Sequence, residues 1–190
     1  MKKDFIREYF SIPNLLGYLR IILIPVYLYV YLHATATSDY YIAAASMAVS
    51  FLSDFFDGKI ARRFNMVTEF GKILDPIADK LTQGVLALGF SFRYPAILCL
   101  FIVFLTKELI MGVLGLYMMT RHYHMDGAQM HGKICTAILD VSMLVLLLFP
   151  MIPGIVVQVL SILCILSICV SFAIYLHMYY IVWKTKLQGK

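Results

Sequence analysis

Six long apolar runs divide the chain, and the polar breaks and ends around them carry most of its basic residues. A membrane-spanning helix needs about 20 mainly apolar residues. The runs place such helices at about 14–33, 39–57, 73–92, 95–119, 133–151 and 154–182. The last is long enough to tilt or to extend past the bilayer. Residues 2–10 set Lys2, Lys3 and Arg7 beside Phe5, Ile6, Tyr9 and Phe10, which suits a short amphipathic helix on a membrane surface. A solvated tail is the alternative there. Pro95, Pro150 and Pro153 fall at span ends, whereas Pro25 lies inside the first span and predicts a kink. No soluble domain, linker or repeat interrupts the pattern, so residues 1–190 read as one membrane domain.

Composition strengthens this reading. The 190 residues are 62% hydrophobic, with a mean hydropathy of +0.84. Soluble domains hold roughly 45–50% apolar residues. The fold class is therefore all-α integral membrane. The first run could also mimic a signal peptide with Ala34-Thr35-Ala36 as its cleavage site, but Asp4, Glu8 and the later spans favour a first transmembrane helix. Cys99, Cys135, Cys164 and Cys169 lie in or beside apolar runs without metal-site spacing, and read as small packing residues.

The net charge of +5 suits anionic lipid headgroups better than nucleic acid in so apolar a chain. Its distribution sets orientation. One side receives Lys2, Lys3, Arg7, Lys59, Arg62, Arg63, Lys72, Arg121, Lys184, Lys186 and Lys190, and the opposite loops hold only Arg93. Both termini are then expected in the cytoplasm.

Residues 54–79 lie at that cytoplasmic mouth and match the pattern D-x2-D-G-x2-A-R-x8-G-x3-D-x3-D. Asp54, Asp57, Gly58, Ala61 and Arg62 form one helical stripe. Its acids can bind a hard divalent cation, its small residues leave room for a ligand against the backbone, and Arg62 can grip a phosphate. Asp75 and Asp79 sit one turn apart on the next helix. Two such pairs facing each other offer oxygens for one or two Mg²⁺ or Mn²⁺ ions, and the logic is phosphoryl transfer. Solvated loop charges would not require this spacing.

With this motif the chain resembles the CDP-alcohol phosphotransferase family, and it matches every specified position. The resemblance implies a six-helix membrane domain, usually homodimeric, with a cytoplasm-facing site in a bacterial cytoplasmic membrane. It implies transfer of a phosphatidyl group from CDP-diacylglycerol to an alcohol, with release of CMP. By position, Asp54, Asp57 and Asp75 would be core ligands of a two-metal site. Asp79 would add to that site and act as general base. Asp57, Gly58, Ala61, Arg62 and Gly71 would shape the CDP pocket.

Two flanking runs narrow the branch. Pro13-Asn14…Arg20 resembles the P-N-x2-T-x2-R opening of phosphatidylglycerophosphate synthases, with Gly17 replacing the usual Thr and so losing a hydroxyl. Asn14 would face the nucleotide and Arg20 the acceptor. Their simpler roles are a helix N-cap and an interfacial, snorkelling arginine. Asp75-Pro76-Ile77-Ala78-Asp79-Lys80 resembles a run shared by phosphatidylglycerophosphate and cardiolipin synthases, and adds Lys80 to the acceptor side.

The acceptor would also meet Lys107 and Glu108, where the relatives often show Arg-Glu, and Lys133 in a G-K-x-x-T run. A packing ion pair and a lipid anchor are the respective alternatives. Asp140 lies two turns beyond Lys133, as a partner for Arg20 or Lys107. His122, His124 and His131 read as a polar loop. The expected acceptor is glycerol 3-phosphate, followed by phosphatidylglycerol and then an inositol phosphate. A cation transporter with an acidic mouth is the alternative from another class.

Overall fold

The computed structural model describes residues 8–121 and 130–188. Among these it contains six long helices and no strand: α1 (Ile12–Leu32), α2 (Thr37–Arg63), α3 (Glu69–Ser91), α4 (Pro95–Thr120), α5 (Met130–Leu148) and α6 (Gly154–Gln188). Each expected span has its helix. Most of the expected amphipathic segment at residues 2–10, and His122 and His124, lie outside the described residues. Helix α1 runs as one helix through Pro25.

The ends that matter are those flanking the motif. Helix α2 continues past residue 57 to Arg63, so Asp54, Asp57, Gly58, Ala61 and Arg62 share a single helix. Its stop is local. Asn65 adopts φ 51°, and the Met66 N–H donates to the Ala61 carbonyl at 2.9 Å. Asparagine enters this left-handed region more readily than most residues. Helix α3 starts at once, because the Thr68 side chain accepts from the Gly71 N–H at 2.9 Å.

Among the described residues four helices, α1, α4, α5 and α6, are long and apolar enough to cross a membrane. Helices α2 and α3 carry the motif's charges instead. On α4, Leu105, Leu109, Val113 and Leu116 form one exposed apolar stripe, a face suited to lipid rather than water.

Helix α1 packs against both α2 and α3. Helix α4 packs on α3, α5 packs on α2 and α3, and α6 packs on α4 and α5. The core includes Tyr27, Met47, Leu86, Phe90, Leu100 and Met143. All four cysteines are free, with Cys135 and Cys164 buried. Because α1 is wedged against two helices, a polar group midway along its inner face can reach the acids of both.

Candidate active site

That inner polar group is Arg20, which is only 2% exposed. Its Nη2 lies 2.7 Å from Asp54 Oδ1 and 2.5 Å from Asp57 Oδ2, and its Nη1 lies 2.6 Å from Asp79 Oδ1. The side chain therefore does not snorkel to an interface. It joins the acids of α2 to the acid of α3. A buried guanidinium is tolerable only when paired and hydrogen-bonded, and these carboxylates supply both conditions.

Gly17, one turn before Arg20, explains how α1 comes so close. A Cβ there would meet Leu74 Cδ2 at 2.9 Å. The missing hydroxyl is thus also a close helix contact, with Leu74 buried against the glycine.

Asp75 faces a separate cleft of about 170 Å³, lined also by Asn14, Gly58, Ala61, Arg62 and Gly71. This brings together most residues expected at the nucleotide. Asp57 instead turns to Arg20. A Cβ on Gly58 would meet nothing within 4 Å, so the glycine leaves open space at the cleft wall. Asn14 is not the N-cap of α1, a position held by Ser11. Its Nδ2 donates to the Glu8 carbonyl at 2.7 Å and to Thr68 Oγ1 at 3.1 Å. A Cβ on Gly71 would lie 2.7 Å from Asn14 Oδ1, so only glycine admits Asn14 without displacement.

On the other side of the carboxylates is a chamber of about 120 Å³, lined by Arg20, Ser50, Asp54, Asp79, Gln83 and Asp140 among others. Thr136 and Asp140 also line a larger cavity of about 590 Å³, which holds Lys80, Lys107, Glu108 and Lys133. Glu108 Oε1 accepts from Lys107 Nζ at 2.6 Å and from Lys80 Nζ at 3.1 Å. The 107–108 pair is thus both a packing ion pair and a cavity wall. Lys133 is exposed at the rim. Arg20, expected with these lysines, belongs to the acidic chamber. Asp140 pairs with neither Arg20 nor Lys107; its Oδ1 accepts from Gln83 Nε2 at 2.6 Å.

Among the described residues, no group of three or more His, Cys, Asp or Glu side chains forms a ready-made metal site. The donor chemistry nevertheless fits a hard divalent cation. Asp54, Asp57 and Asp79 converge on one point that already holds the positive guanidinium, and the carboxylates outnumber it. Oxygen donors with excess negative charge are the set expected for Mg²⁺ or Mn²⁺.

The structure adds Ser50, Thr68, Gln83 and Thr136 to the site walls. A signal existed for three of them, Thr136 being the threonine of the G-K-x-x-T run. Ser50 precedes Asp54 by one turn, and Gln83 comes one turn after Asp79, so extending both acidic stripes would have found them.

Over 74 residues the chain is 43% identical to a Rickettsia bellii protein named CDP-diacylglycerol–glycerol-3-phosphate 3-phosphatidyltransferase. That match covers 39% of this chain and 40% of the relative. An Escherichia coli K12 protein of the same name is 42% identical over 76 residues, covering 40% of this chain and 41% of its own. The chain thus spans about two fifths of the length of the curated relatives it matches. The family model described as CDP-alcohol phosphatidyltransferase matches residues 10–183, nearly the whole chain, and the chain belongs to that family.

Proposed function

We propose that this protein transfers the phosphatidyl group of CDP-diacylglycerol to glycerol 3-phosphate, giving phosphatidylglycerophosphate and CMP. The observation that carries this reading is the position of the carboxylates. They stand between a cleft walled by small residues and Arg62 and a cavity ringed by three lysines. The first suits a nucleotide diphosphate, the second a small acceptor bearing its own phosphate. The names of the two relatives point the same way, and family membership removes the support for an ion path.

In this mechanism Arg62 and the backbone beside Gly58 and Gly71 hold the CDP moiety. Lys80, Lys107 and Lys133 hold the acceptor phosphate, and Glu108 fixes the first two. The acceptor hydroxyl gives its proton to Asp79 as its oxygen bonds to the diacylglycerol-bearing phosphorus. The bond from that phosphorus to the CMP oxygen breaks, and CMP leaves with the electron pair. Arg20 engages Asp79 Oδ1 and so leaves Oδ2 for the proton. Asp54, Asp57 and Asp79, with Asp75 from the cleft beside them, would hold one or two divalent cations, which would supply charge neutralisation at the phosphates and leaving group. Six spans, cytoplasmic termini, a cytoplasm-facing site in a bacterial membrane, one domain over residues 1–190 and a homodimer complete the proposal.

The test is CMP release by purified protein given CDP-diacylglycerol, Mg²⁺ or Mn²⁺, and glycerol 3-phosphate, with the lipid product identified. Chelation with EDTA should abolish release, and added metal should restore it. Product formed only with phosphatidylglycerol would replace this acceptor by that of a cardiolipin synthase. An absence of metal-dependent CMP release with every acceptor would overturn the enzyme reading.

A further inference from the structure

The lysines account for a phosphate on the acceptor, but not for the polar groups that line the adjoining acidic chamber. Gln83 is 5% exposed, and its Oε1 has no hydrogen-bond partner among the described residues. Ser50, fully buried across the same chamber, has an unpartnered Oγ as well. Such orphans are rare in folded proteins, because each forfeits the hydrogen bonds it made in water. Gln83 is held in place, since its Nε2 donates to Asp140 Oδ1 at 2.6 Å. That bond directs the amide nitrogen away and leaves the carbonyl oxygen as an acceptor. Asp140 uses one oxygen on Gln83 and retains the other. It also lines both the acidic chamber and the lysine cavity, and so stands where an acceptor must pass from phosphate site to reacting hydroxyl.

From this juxtaposition we infer that Gln83 and Asp140 form a hydroxyl-recognising site, which selects an acceptor carrying a second, non-reacting hydroxyl between its phosphate and its nucleophilic oxygen. The inference rests on the proposed use of glycerol 3-phosphate and names the part of that molecule the site reads. Lysines suit the phosphate end because it is anionic. The hydroxyl end has one proton to donate, and the unpartnered Gln83 carbonyl, held in place by Asp140, is the acceptor for it. A site built around such a hydroxyl leaves its own buried groups unpaired when the hydroxyl is missing, which is the strongest form of discrimination between near-isosteric substrates. Gln83 and Asp140 are thus specificity residues, distinct from the proton acceptor Asp79.

The experiment compares glycerol 3-phosphate with 3-hydroxypropyl phosphate, which lacks only the middle hydroxyl. Values of kcat/KM for both acceptors are measured in the full-length protein and in its Gln83→Met and Asp140→Asn variants. The unmodified protein should prefer glycerol 3-phosphate by about a hundredfold, the effect of leaving one buried acceptor unpaired. Gln83→Met should bring the two acceptors within about threefold, chiefly by raising KM for glycerol 3-phosphate, and Asp140→Asn should narrow the ratio less. If both variants lose activity equally on the two acceptors, the pair is only a clamp between α3 and α5 and the inference fails. Equal use of the two acceptors by the unmodified protein overturns it without any variant, so a misfolded variant does not shield it. Failure of the underlying reading looks different: the unmodified protein then makes no product from glycerol 3-phosphate, and the inference falls with it.

Discussion

The nucleotide cleft and the acceptor cavity flank the same carboxylates but are built in opposite ways. The cleft comes almost entirely from one stretch, residues 58–75, closed by Pro13 and Asn14. Its key positions are small, and its shape comes from one helix stripe and one tight turn. The cavity draws Lys80 from α3, Lys107 and Glu108 from α4, Lys133 and Asp140 from α5, and Tyr175 from α6. Its chemistry depends on charges that meet only when four helices pack. A site made of backbone and small residues tolerates no added bulk, whereas a site made of long charged side chains loses function by degrees.

The sharpest break should come between the two regions. Asp79→Asn keeps the shape but cannot take a proton, and turnover should fall by about a thousandfold in a CMP-release assay. Retention of full activity would remove the base assignment. Next, Gly58→Leu fills the open wall of the cleft, and kcat/KM for CDP-diacylglycerol should fall by about a hundredfold. Lys133→Gln removes one charge of several, so KM for glycerol 3-phosphate should rise only about tenfold while KM for CDP-diacylglycerol stays put. A larger loss at Lys133 than at Gly58 would reverse the comparison. The smallest effect is on stability. Gly71→Ala drives a methyl group against Asn14 Oδ1, and should cost about 1–3 kcal/mol, seen as a lower unfolding temperature in detergent.

The same contrast governs how much could be read from the chain. The residues expected around the nucleotide do line one cleft, apart from Asp57, because i,i+3 and i,i+4 neighbours on a helix are fixed by helical geometry alone. Lys80, Lys107, Glu108 and Lys133 also meet, although the resemblance and not the spacing brought them together. Arg20 was the harder case. Nothing in its neighbours along α1 tells that its guanidinium is shared by Asp54, Asp57 and Asp79. The partner of Asp140 was equally hidden, since a lone buried acid is silent about which neighbouring helix answers it. Gln83 attracted no notice because a glutamine in an apolar run carries no charge.

The helices, the apolar lengths suited to a bilayer, the acidic stripes and the small-residue seat beside them are all written in the order of the amino acids. Those features depend on composition and on a period of 3.6 residues, both of which are local. Packing in three dimensions was needed to bring α1 against both α2 and α3, to carry Arg20 into the acidic cluster, and to join Gln83 to Asp140 across two helices. The cause is steric. Which helices touch depends on where close approach is possible, as at Gly17 against Leu74, and a contact between residues far apart in the chain has no period to announce it.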